Sequence, residues 1–170
     1  MATTVPSFTP AVARAIAEHL LQTLEFEYGT TRKVVAAVTN PDYRPDDSSR
    51  TAFELAAHLV TSEIEFLEQI AAMKFTMGQS HETPATVGEL ISLYDKELPG
   101  AIAKVRAMTD EQLSTPVDFY GAFNFPDFQY LSFAVRHSIH HRGQLAAYLR
   151  PMGSKVPSIY GGSADEPWEG

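Results

Sequence analysis

The chain has 170 residues, 44% of them apolar and 20% charged, the make-up of a folded domain that can bury roughly 70% of its unfolded surface without covalent help. It contains no cysteine, which excludes disulfides, thiolate metal ligands and a cysteine nucleophile, so any thiol chemistry needs a thiol from outside. Twenty-one acidic against 13 basic side chains give a formal net charge of −8, which opposes both the phosphate contacts of nucleic-acid binding and attraction to an anionic membrane surface.

The first ten residues show no basic stretch followed by an apolar one. No window reaches the roughly 18 uninterrupted apolar residues of a membrane span. A cytoplasmic protein forming one domain over residues 1–170 is expected.

Thr9 followed by Pro10 is a helix start, because a hydroxyl can accept from the exposed N–H groups of the first turn and proline suits position N1. From Pro10 to about Thr39, the apolar residues Val12, Ile16, Leu20, Leu24, Val34, Val35 and Val38 recur mostly at spacings of three and four and predict a one-sided helix. Asn40-Pro41 ends it, and the polar run from Arg44 to Arg50 predicts a loop. Thr51-Ala52-Phe53-Glu54 reads as a capping box opening a second helix over about 52–77, with Leu55, Leu59, Phe66, Leu67 and Ile70 as its apolar stripe and Gly78 as its stop.

Thr86-Val87-Gly88-Glu89 is a second capping box, opening a third helix to about Met108, within which Pro99-Gly100 is expected to cause a kink or break. Thr109 to Gln112 repeats the pattern before a short segment. Residues 115–130 predict a loop dense in aromatics (Phe119, Tyr120, Phe123, Phe125, Phe128 and Tyr130) that either walls a pocket or plugs one end of the fold. A fourth long helix is expected from about Phe128 to just before Pro151, some 33 Å at 1.5 Å per residue. The Pro/Gly/Ser-rich tail from Pro151 to Gly170 predicts irregular chain on the surface. No strand alternation is long enough to build a sheet, so the fold class is all-α, a four-helix bundle.

Chemistry concentrates in the last long helix. His137 and His141 stand four apart, which places their Cβ atoms about 5–6 Å apart on one helix face, where two imidazoles can share an ion. His58, between Leu55 and Leu59 on the second helix, is the candidate third ligand, since an unpaired imidazole on an apolar face is costly. The alternative is that these histidines only hydrogen-bond in the core. Gly143 predicts close approach of a neighbouring element, because glycine inside a helix costs about 1 kcal/mol relative to alanine. Gln144, one turn beyond His141, is placed to orient a ligand, a water or a substrate, or else is a partly exposed polar residue. Glu65 shares the His58 face two turns on and is a further pocket candidate. Glu54 is already explained by its cap. His140, about 100° around the helix from His141, is expected to face an interface or solvent, and His19 and His81 to play no ligand role. Three imidazoles without thiolate suit Zn²⁺, Ni²⁺, Fe²⁺ or Mn²⁺.

A histidine at the end of Glu54-Leu55-Ala56-Ala57-His58, the run His-x-x-x-His-Arg-Gly-Gln from His137 to Gln144, and the ending Val156-Pro157-Ser158-Ile159-Tyr160-Gly161 resemble the DinB/YfiT-like superfamily of metal-dependent bacterial proteins over most of the chain. The resemblance implies a four-helix bundle with a nonstandard helix order, a metal site of His58, His137 and His141 open to water, and a homodimer. It also implies a small-molecule substrate and, in some members, thiol-dependent transferase or isomerase activity with low-molecular-weight thiols such as bacillithiol or mycothiol. A metal-dependent enzyme is therefore expected, and a metal-binding or stress-associated protein without turnover is the alternative.

Overall fold

The computed structural model describes residues 8–78, 82 and 84–168. Four long helices form the body: α1 (Pro10–Ala36), α2 (Ala52–Ala71), α3 (Val87–Arg106) and, after the short α4 (Asp110–Ser114) and a β-hairpin, α5 (Phe128–Leu149). α1 packs on α3 and α5, and α2 packs on the same two helices. The order around the bundle is therefore α1, α5, α2, α3, with α1 and α2 on opposite corners, in place of the sequential order that short connections alone would give. No helix among the described residues is long and apolar enough to cross a membrane.

The starts fall where the hydroxyl residues placed them. Thr9 caps α1 by accepting from the Val12 N–H, and Thr51, Thr86 and Thr109 each complete a reciprocal capping box with Glu54, Glu89 and Gln112. The buried stripe of α1 is displaced by one residue from the expected one. Ala13, Ala17, Leu21 and Leu24 are buried, Ile16 and Leu20 lie at its flank, and Val12 is exposed. Small alanines, which carry little apolar signal, face the neighbouring helices.

Helix α2 ends at Ala71, well before Gly78. Met73 takes a positive φ of 52°, its N–H donates to the carbonyl of Ile70, and the Lys74 N–H donates to the carbonyl of Gln69. This is the Schellman pattern of a helix end, formed with methionine where glycine is usual. Helix α3 runs unbroken through Pro99-Gly100. Both residues are exposed, while Tyr94, Leu98, Ala101 and Ile102 hold the buried face on either side; the carbonyl that proline leaves unpaired can face water.

Residues 115–130 are not simply loop. β1 (Pro116–Phe119) and β2 (Phe123–Pro126) pair antiparallel, with Phe119 opposite Phe123 and Pro116 opposite Pro126. Tyr120 and Gly121 both have positive φ (55° and 73°), the combination that closes a tight hairpin, and Asp118 accepts from the Gly121 N–H. Four-residue strands are too short for alternation to announce. Phe119 packs against Phe66 and Phe75 from the α2 side and against Tyr130 and Phe133 of α5, so the hairpin's rings plug one end of the bundle. The tail is irregular and tied to the body: Ser154 bonds to Thr39, and Asp165 accepts from Arg150 and from the Val156 N–H.

Candidate metal centre

His58 lies in the second turn of α2, and His137 and His141 lie one turn apart in the middle of α5. The two helices run antiparallel past each other, so that Leu55 stands beside Gln144, His58 beside His141, and Phe66 in the aromatic cluster with Phe133. The three imidazoles meet between these helices. Each offers one ring nitrogen within 4.8 Å of the other two, and the ring centroids lie 5.1 Å (His58 to His137), 4.6 Å (His58 to His141) and 4.3 Å (His137 to His141) apart.

The outer nitrogens of His58 and His141 have partners that aim the inner ones. His141 Nδ1 is 2.7 Å from Gln144 Oε1. The amide oxygen only accepts, so Nδ1 carries the proton and the Nε2 lone pair points inward. His58 Nδ1 is 3.1 Å from the Ser62 hydroxyl, and its Nε2 lies 3.2 Å from His141 Nε2. Two nitrogens bound at about 2.0–2.1 Å to a tetrahedral ion stand about 3.3 Å apart, so this spacing fits a shared cation.

All three rings are half-buried, and burial is the main force acting on their charge. It pushes His58 and His137 down to about 4, with smaller contributions from the positive charge of Arg50 and from the neighbouring imidazoles. His141 is also lowered, by burial first, while its bond to Gln144 works in the opposite direction. The rings are thus neutral, lone-pair-bearing ligands at physiological pH. Among the described residues no carboxylate joins the cluster.

The remaining sequence candidates fall as follows. Gln144 contacts His141 directly. Glu65 is half-buried on α2 at the level of the aromatic rings and outside the cluster of ligating atoms. Glu54 is engaged in the α2 capping box. His140 and His19 are exposed, His140 with its ring 4.8 Å from that of His141, and His81 lies outside the described residues. Gly143 does not mark a close approach: it is exposed, and a Cβ built on it meets nothing within 4 Å. A glycine in a helix sequence does not by itself separate tight packing from a solvent-facing position.

Two residues beside the centre are absent from the sequence candidates. Ser62 stands four residues after His58 on the same face, a spacing that could have revealed it. Arg50 lies in the loop before α2 and comes near only when the bundle closes. With Pro45, Ser49, Leu55, Gln144, Ala147 and Tyr148 it lines a cavity of about 430 Å³ adjoining the centre.

Residues 8–169 match the DinB family. The chain is 31% identical over 122 residues to the uncharacterized protein YjoA of Bacillus subtilis, covering 69% of this chain and 77% of that protein. It is 25% identical over 158 residues to the uncharacterized protein YrdA of the same organism, covering 88% and 90%. The crystal structure of a DinB-like protein from Bacillus cereus superposes with a TM-score of 0.71 at 25% identity, covering 84% of this chain and 97% of that one.

Proposed function

Because the chain belongs to the DinB family, we propose that His58, His137 and His141 hold one divalent metal ion and that the loaded protein is an enzyme transferring or isomerising a small molecule with the help of a low-molecular-weight thiol. The observation that carries this reading is the convergence of three neutral imidazoles from two helices, with two Nε2 atoms facing each other at 3.2 Å. A core role for these rings accounts less well for the arrangement. A hydrogen bond from His58 Nε2 to His141 Nε2 would satisfy that pair alone, and it gives no reason for His137 to bring a third ring nitrogen to the same point.

Three protein ligands is the number used by catalytic rather than closed structural sites. A divalent ion there supplies Lewis-acid chemistry, lowering the pKa of an incoming thiol or water so that a nucleophile is available near neutral pH. The chain's own residues contribute the rest. Burial keeps the imidazoles unprotonated, Gln144 and Ser62 fix the orientation of His141 and His58, and the aromatic hairpin closes the bundle one turn of α5 before His137. The thiol has to come from solution, since the chain has no cysteine.

Metal analysis of the tag-free protein is expected to find one divalent ion per chain, and His58→Ala to abolish its uptake. Consumption of an electrophile by the protein and a small thiol should stop on chelation and return with metal. Uptake unchanged by His58→Ala would reduce the histidines to core residues, bound metal without turnover would indicate a binding protein, and turnover that survives complete metal removal would count against transfer chemistry at this centre.

A further inference from the structure

We propose that Arg50 forms an anion subsite beside the metal centre, so that the substrate or thiol used there carries a carboxylate or phosphate at the end remote from its reacting atom. The inference rests on the reading of His58, His137 and His141 as a metal centre that accepts a thiol.

The cavity bordered by Arg50 neighbours the centre at Gln144, which lines it and also bonds to His141 Nδ1. Pro45, Leu55, Ala147 and Tyr148 give it apolar surface, and Ser49, Arg50 and Gln144 give it polar surface. Arg50 lies in the loop two residues before α2 and His58 in the second turn of that helix, and the guanidinium charge acts on all three imidazoles, which marks a path from the loop to the centre. An elongated small molecule could lie along that path with an anionic end at the guanidinium and its nucleophilic atom at the centre.

The protein's own structure gives little reason for an arginine here. Arg14, Arg32, Arg106, Arg142 and Arg150 each pair with a carboxylate and Arg136 bonds to Ser132, whereas Arg50, like Arg44 in the same loop, is exposed and has no hydrogen bond or ion pair among the described residues. Its charge is felt by Glu54, whose Oε2 is committed to the Thr51 N–H. Arg50 stands just before the N-cap of α2, where the helix dipole disfavours a cation by roughly 0.3–1 kcal/mol. Its charge also works against protonated or metal-bearing imidazoles nearby. An exogenous anion would offset both costs.

The helix start itself is not the receptor. The N–H groups of Thr51, Ala52, Phe53 and Glu54 are already taken by Glu54 Oε2, the Tyr43 carbonyl, the Pro41 carbonyl and Thr51 Oγ1. The guanidinium is therefore the available donor, and its planar fork matches a carboxylate or phosphate. In a chain of net charge −8, a local cation beside a dication would also concentrate anions at this opening.

The test uses the full chain loaded with Co²⁺, whose visible absorption reports a thiol entering the coordination sphere. Binding of 6-mercaptohexanoate, 4-mercaptobutyl phosphate and the neutral 6-mercaptohexanol is followed by titration at low ionic strength in the parent protein, Arg50→Gln and Arg50→Lys. At least one anionic thiol is expected to bind about tenfold more tightly than the alcohol. Arg50→Gln should bring that advantage below threefold without weakening Co²⁺ or 6-mercaptohexanol binding, and Arg50→Lys should keep part of it. Which anionic thiol gains more decides between carboxylate and phosphate. Equal binding of charged and neutral thiols, or an advantage that persists in Arg50→Gln, overturns the subsite and leaves the metal centre standing. Failure of Co²⁺ to bind, or of any thiol to change the spectrum, overturns the reading of the centre and the subsite with it.

Discussion

At the centre, three residue spacings carry most of what the sequence could reveal. His137 and His141 at i and i+4 and Gln144 three residues further share one face of α5, and that face is fixed by helix geometry alone. His58 was legible for a different reason, its place between two leucines of an apolar stripe. Ser62 follows the same periodicity, but a serine in a helix gives no chemical signal until its partner is seen. Arg50 had no periodicity to show. If Gln144 orients His141 as its 2.7 Å contact suggests, Gln144→Ala should weaken metal binding 10- to 100-fold without changing the helical circular dichroism. Competition against a chromogenic chelator measures it, and an unchanged affinity would reduce Gln144 to a cavity wall.

The elements were read best where a side chain announces a boundary and worst where the backbone makes one by itself. The capping boxes of α2, α3 and α4 follow from threonine and an acid or amide three residues on. The end of α2 does not, because Met73 takes the left-handed position that glycine would have advertised. The hairpin escaped for lack of length. Proline misled in the other direction: α3 tolerates Pro99 because its apolar face is buried on both sides of an exposed position. That tolerance has a cost, since the Asp95 carbonyl lacks its i+4 donor. Pro99→Ala should restore the bond and stabilise the protein by about 1–3 kcal/mol, read as a higher urea midpoint at unchanged slope. A lower midpoint would mean that the ring itself makes packing contacts the helix depends on.

Across the whole molecule, a buried polar chain joins the four long helices in a way that hydropathy cannot foresee, because it places charges where a periodic reading expects surface. Arg142, only 1% exposed, pairs with Glu27 of α1 and bonds to Tyr160 of the tail. Thr31 of α1 lies 3.4 Å from Ser138 of α5. Ser138 and Tyr94 of α3 both donate to Glu63 Oε2 of α2, at 3.1 and 2.7 Å. Thus one side of α5 carries the imidazoles, while Ser138 and Arg142, each next in sequence to a candidate ligand, anchor it to the core. Glu63 Oε1 is buried without a partner, and burial pushes this carboxyl up from 4.5 to about 7 against the pull of Tyr94, Ser138 and Arg142.

A carboxyl whose pKa is raised on folding binds more protons folded than unfolded between those two values. Its contribution to stability is therefore complete below about pH 4.5 and is lost as pH rises through about 7. Glu63→Gln keeps the neutral form throughout, with its amide oxygen able to accept from Tyr94 and Ser138. Urea denaturation of both metal-free proteins should give nearly equal stabilities at pH 4. The variant's advantage should then grow to on the order of 3 kcal/mol by pH 8. The histidine titrations are common to the two proteins and cancel in the difference. A difference that stays flat with pH would mean that Glu63 is ionised in the folded chain throughout, with Arg142 rather than a proton balancing its charge.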